Sequence, residues 1–211
     1  LFRDGVVAKT RQEEQRARYR SMTAEELLRA TRLIRSDGTL VKAALLLLGS
    51  ESAVSEQLPN AEIVFEYRSR RALTRYDDRF SVRKAAILAI EEVWQEIRPF
   101  ASLMPIEVQE GTRVTRRLRY PERSVREALL NAVAHRDYND LESVLIRMEP
   151  GSFEVTSPGP FPATITPENV ADEQFRRNRR LAEALEKCGR IERSGQGVDQ
   201  QGPEDDQRDR C

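Results

Sequence analysis

A chain of 211 residues can form one large domain or two small ones. Its 35 basic and 35 acidic side chains cancel, which excludes a net field drawing it to nucleic acid or anionic membrane. Charged residues make up 33%, mean hydropathy is −0.63, and no apolar run nears the roughly 18 residues of a membrane span, so the composition describes a soluble chain.

Leu1 and Phe2 are followed by Arg3 and Asp4, which is no signal peptide, and a start at Leu rather than Met reads as a piece of a longer protein. Cys188 and Cys211 form no disulfide framework and fit a reducing, cytoplasmic setting. Residues 1–20 are rich in Arg, Glu and Gln without apolar periodicity and read as a linker or arm. Thr23 followed by Glu26 is a capping box that opens a helix carrying Leu27, Thr31 and Ile34, ended by Asp37 and Gly38. Thr39 is placed to cap a second, very apolar helix that runs through Leu48 to Gly49. Ile63, Phe65 and Tyr67 alternate with Val64, Glu66 and Arg68 as a strand. Val82, Ala86, Ala89, Val93 and Ile97 mark a long amphipathic helix that should end before Pro99.

The Pro and Gly residues at 99, 105 and 111 place a domain boundary there, giving a connecting unit over 1–105, a second domain over 106–199 and a disordered tail over 200–211. The second domain should begin with a strand at 113–120 and a helix opened by Pro121 and reaching His135. Strands at 143–148 and 153–156 follow, joined through Pro150 and Gly151 as a hairpin. A rigid loop then holds Ser157, Pro158, Gly159 and Pro160. Asn178 should cap a last helix with Leu181, Leu185 and Cys188 on its inner stripe, and Gly195 and Gly197 form a second glycine loop.

The helix before His135 carries the functional argument. Val125, Leu129, Ala132 and Val133 share a core-facing side, and Glu127, Asn131 and His135 follow at i, i+4 and i+8 in one row beside it. A carboxylate can orient or deprotonate water, and an amide oxygen is a hard ligand for Mg²⁺. From spacing alone, such a polar row is more often a solvated face than a site. Arg176, Arg177, Arg179 and Arg180 are a charge run that is more often solvated than phosphate-binding. His135 is more often an orienting residue at the core edge than a catalyst, and Arg136, Asp137 and Tyr138 read as a structural helix end.

The run Glu127-Ala128-Leu129-Leu130-Asn131-Ala132-Val133-Ala134-His135-Arg136-Asp137-Tyr138 resembles the N-box of the GHKL ATP-binding superfamily. With His-Arg-Asp-Tyr attached, it is similar to the bacterial "RecG-related helicase" regulators that join an AlbA-type (Schlafen-like) DNA-binding domain to a divergent GHKL-like domain. The loop from Ser157, the pair Arg177-Asn178 and the glycines at 195 and 197 continue that pattern, whereas the first half matches more loosely. The resemblance implies an α+β fold: a mostly antiparallel sheet covered by helices on one face, Bergerat-like, preceded by a smaller α/β unit. It implies ATP and Mg²⁺ as cofactors, Glu127 as the water-activating residue and Asn131 as the Mg²⁺ ligand. Ser157 and Gly159 would stand where the base is read, and Gly195 and Gly197 where backbone N–H groups cradle phosphates. Ser157 replaces the usual acidic base-reader. The function implied is a nucleotide-binding regulatory module, at most a slow ATPase. The alternative is a catalytically dead scaffold for dimerisation or protein binding. Helicase activity follows only from the family's customary name, since the sequence holds no Walker Gly-Lys-Ser/Thr loop. Expected partners are a nucleotide, DNA only through a missing upstream domain, and no membrane, with room for a homodimer.

Overall fold

In the computed structural model, residues 2–10, 12–70, 75–102, 105–110, 113–160 and 177–188 are described. The expected tail at 200–211, the glycines at 189, 195 and 197, Arg176, and Phe161 and Pro162 lie outside these residues. The fold is α+β. Its main sheet orders β2 (Asp78–Val82), β1 (Ile63–Tyr67), β5 (Val144–Glu149) and β6 (Ser152–Thr156). The outer pairs β2–β1 and β5–β6 are antiparallel, and the central pair β1–β5 is parallel. A separate two-stranded sheet joins β3 (Pro105–Glu110) to β4 (Arg113–Leu118).

The register divides the main sheet into two chemically different faces. Ile63, Phe65, Phe80, Val82, Val144, Ile146, Met148, Phe153 and Val155 share one face and belong to or pack on the hydrophobic core. Alternate positions on the other face hold Arg79, Glu66, Arg147 and Glu154, which form a row of ion pairs at 3.6–4.0 Å across four strands. A sheet with one apolar face must bury it against helices. Here α6 (Ala86–Ser102) packs on β1 and β2, and α7 (Glu122–His135) packs on β6. Residues on both sides of position 105, where the sequence places its boundary, therefore build this sheet and its core.

α8 (Arg179–Lys187), expected on the sheet beside α7, packs chiefly as a further layer against α7, α4 (Lys42–Leu48) and α1 (Phe2–Lys9). Its inner stripe is as expected, with Leu181, Leu185 and Cys188 buried. The segment read as an arm is helical, forming α1 and α2 (Glu13–Ser21). Only Phe2 and Val6 of α1 are buried, too few to produce a periodic signal in the sequence. Gly5 allows the close approach: a Cβ there would run into the carbonyl oxygen of Cys188. Lys187 fastens the same region by donating from Nζ to the Ala30 carbonyl at 2.9 Å.

Helix ends show where local chemistry decides. The capping box of α3 (Ala24–Ala30) is present, with Glu26 N–H donating to Thr23 Oγ1 at 3.2 Å and Thr23 N–H to Glu26 Oε2 at 2.7 Å. Thr39 does not cap α4; its hydroxyl and N–H both donate to Asp37 Oδ1 in a local turn, at 2.7 and 2.9 Å, and Val41 takes the N-cap position. Pro99 does not end α6. Val93, Trp94, Ile97 and Ala101 stay buried through it, and Phe100 stacks on Phe65 and Tyr67 at 5.4 and 4.6 Å. Tertiary packing outweighs the missing proline N–H. α5 (Glu51–Gln57) was not anticipated, and Ser50 caps it by accepting from Ala53 N–H at 3.2 Å.

The α1–α8 contact gives a test. Gly5→Val forces the helices apart and should destabilise the chain by about 1–3 kcal/mol, the usual range for overpacking, read as a lower urea midpoint. An unchanged midpoint would mean that α1 is not docked.

Candidate functional site

α7 is an amphipathic helix whose apolar positions set its orientation. Val125, Leu129, Leu130, Ala132, Val133 and Ala134 are buried. The row Glu127, Asn131 and His135 emerges at the margin: Glu127 is half-buried, and Asn131 and His135 are exposed. Neighbouring Arg126 is fully committed, with both terminal nitrogens 2.9 Å from the Glu91 carboxylate and Nε 2.6 Å from Glu122. No hydrogen bond or ion pair joins the side chain of Glu127 or Asn131 to another described residue. Successive members of the row lie about 6 Å apart along the axis, from the helical rise. That spacing suits two groups acting on different atoms of one ligand.

The last turn of α7 needs outside partners, because the final carbonyls of a helix have none within it. Three side chains supply them. Ser157, just after β6, donates from Oγ to the Ala132 carbonyl at 2.8 Å. Tyr138 donates its hydroxyl to Val133 at 3.0 Å. Asn178, at the start of α8, donates through Nδ2 to Ala134 at 3.0 Å and to Arg136 at 2.7 Å. Asn178 occupies the N-cap position expected of it, yet its side chain makes no cap bond to its own helix and closes the end of α7 instead. The loop after β6 is further held by Asp137 N–H, which donates to Pro158 at 2.9 Å.

Arg136 is the anchor beneath this corner. Its side chain is buried and donates to the carbonyls of Glu62, Asp140 and Glu142, at 3.5 Å to the first and 3.3 Å to the second. It stacks on Tyr138 with 5.3 Å from guanidinium to ring centre. Burial pushes the guanidinium below its usual pKa and the Tyr138 phenol above its own. The triplet 136–138 is structural, as its sequence suggests, but nothing in the sequence marks Arg136 as buried.

Gly159 lies where only glycine fits. Its φ is +110°, and a Cβ would fall within the Arg177 guanidinium and close to Asp137 Cβ. Arg177 donates to the Pro160 carbonyl and sits 3.6 Å from the Asp137 carboxylate. The structure thus brings Ser157 and Gly159 to the end of α7 that carries Asn131, with Glu127 one turn further from it. Gly195 and Gly197 lie outside the described residues. No cluster of His, Cys, Asp and Glu able to hold a metal exists among the described residues. Mg²⁺ does not require one, since it is commonly held by one or two protein ligands together with phosphates and water. An open pocket of about 450 Å³ between α1 and α2, lined by Arg3, Asp4, Arg16 and Arg20 among others, shares no residue with this corner.

Comparison with known proteins gives a family match in the later part of the chain. Residues 142–201 match the family model described as "Putative ATP-dependent DNA helicase recG C-terminal". This part of the chain is similar to a RecG-related, ATPase-type domain. The matched stretch contains Ser157, Gly159, Gly195 and Gly197, and it begins after Glu127 and Asn131. Among solved structures, that of the DIP2311 protein from Corynebacterium diphtheriae superposes with a TM-score of 0.71 at 25% identity, over 92% of this chain. The chain spans 37% of that protein's chain. No curated protein matches. No helix among the described residues is long and apolar enough to cross a membrane.

The carbonyl-capping side chains can be ranked. Asn178→Ala leaves two part-buried acceptors without their partner and should cost about 1–3 kcal/mol, whereas Ser157→Ala should cost about 0.5–1.5, because Ala132 keeps its bond from Arg136 N–H. Equal urea midpoints for Asn178→Ala and the parent chain would contradict the role assigned to the amide.

Proposed function

We propose that this chain is a nucleotide-binding regulatory module that takes Mg-ATP beside α7 and acts with a DNA-binding domain elsewhere in a longer protein. The observation that carries the reading is the pair Glu127 and Asn131 on α7, whose side chains have no partner among the described residues. The Glu127 and Asn131 side chains stay free of partners among the described residues, while the adjoining turn is held by Ser157, Tyr138 and Asn178. Groups kept free next to a rigid corner are positioned to meet a ligand without reorganising. Asn131 would offer its amide oxygen to Mg²⁺, whose charge would offset that of the phosphates. Glu127, half-buried, would orient a water and accept its proton. The similarity of residues 142–201 to an ATPase-type domain supports ATP as the ligand.

Ser157 favours a second reading, a scaffold with a dead pocket. Its hydroxyl proton is already given to Ala132, and it brings no charge to the place where an acidic residue would read adenine. Losing a charge-assisted hydrogen bond of about 1.5–3 kcal/mol lowers affinity by roughly one to two factors of ten. Under the first reading binding is therefore weak but metal-dependent.

Calorimetry separates the two. Mg-ATP should bind the 211-residue chain weakly. Asn131→Ala should remove the dependence on Mg²⁺, and Glu127→Ala should stop any hydrolysis while leaving binding largely intact. No heat at millimolar Mg-ATP would leave the scaffold as the better reading.

A further inference from the structure

We infer that Arg177 is an anion-binding residue of this corner, held in reserve by Asp137 and released to a phosphate-bearing ligand. The inference deepens the nucleotide reading and rests on it for the identity of the ligand. Arg177 immediately precedes Asn178, the N-cap residue of α8, and its guanidinium lies directly over the open face of Gly159, in space that any side chain at 159 would fill. Gly159 at φ +110° keeps that face bare, so the cation rather than a side chain covers the glycine loop. The contacts holding Arg177 there are exchangeable. One is the Pro160 carbonyl, and the other is the Asp137 carboxylate at 3.6 Å, a charge pair without close bidentate geometry. Both partners reach solvent, with side-chain exposures of 20% for Arg177 and 32% for Asp137.

Asp137 is itself firmly placed. Its Oδ1 accepts from the N–H and the side-chain amide of Asn139 at 2.9 and 3.1 Å, which leaves Oδ2 toward Arg177. Asp137 therefore works as a fixed internal anion. A phosphate oxygen approaching Gly159 competes with Oδ2 for a planar guanidinium suited to phosphate geometry. The ligand class is a phosphate-bearing anion, and its affinity is set by how tightly Asp137 retains Arg177.

Such an exchange predicts opposite signs for two substitutions. Asp137→Asn keeps an Oδ1 acceptor for Asn139 but removes the competing charge, so affinity should rise, about five- to ten-fold. Arg177→Ala should lower it by about ten-fold or more. The 211-residue chain and both variants are titrated calorimetrically with Mg-ATP and with tripolyphosphate, with urea midpoints in parallel. Opposite shifts for both ligands support the inference. If tripolyphosphate shows these shifts and ATP binds no better than tripolyphosphate, the Arg177 inference stands and the nucleotide reading fails. ATP binding unchanged by either variant, or weakened equally by both in step with lost stability, overturns the inference and leaves the nucleotide reading in place. No binding of either ligand overturns both.

Discussion

A helix that ends against other structure must find partners for its last carbonyls, and at α7 the partners come from three places in the chain. Tyr138 comes from the segment just beyond the helix, Ser157 from the loop after β6, and Asn178 from the start of α8. Each bond is worth little alone, about 1 kcal/mol net. Leaving the Val133 or Ala134 carbonyl unpaired costs more, while Ala132 also keeps its bond from Arg136 N–H, so the four segments hold one another in a single arrangement. Arg136 extends the same principle to β5 and β1 by donating to carbonyls just before both strands. The parallel β1–β5 pair and the end of α7 are thereby tied to one buried cation.

The rest of the site follows from this constraint. The loop after β6 is fixed on α7, which sets Gly159 and brings Arg177 over it. The apolar face of α7 fixes the helix's rotation, so Glu127 and Asn131 necessarily lie on its margin. In the proposed reading, a rigid corner supplies orientation and an open row supplies chemistry. The polar face of the main sheet plays no part; its row of Arg and Glu pairs balances charge across the strands.

The sequence reveals what is local. The capping box at Thr23 and Glu26, the hairpin through Pro150 and Gly151, the buried stripe of α8 and the two faces of α7 could all be read from neighbouring residues. Long-range pairing could not. β2 is an edge strand in which Arg79 and Ser81 alternate with Phe80 and Val82, too short a period-2 signal to stand out, and its partner β1 pairs in turn with a strand far along the chain. Caps failed where a side chain had a better partner. Thr39 turns back to Asp37, and Asn178 serves the end of α7. For the same reason the roles of Asn178, Arg136 and Asp137 were hidden: their residue types were visible, but their partners belong to other elements. The row at Glu127, Asn131 and His135 was legible as a row, and only the structure shows the side chains of its first two members without a partner among the described residues.

In the proposed reading, one surface, at the exposed margin and last turn of α7, receives the ligand. Backbone amide chemical shifts of the isotope-labelled 211-residue chain, followed during titration with Mg-ATP, test it most directly. Shifts should concentrate at residues 127–139 and at 157–160, with the α1–α2 pocket and the polar sheet face silent. Shifts centred on Arg3, Arg16 and Arg20, with residues 127–139 unmoved, would contradict it.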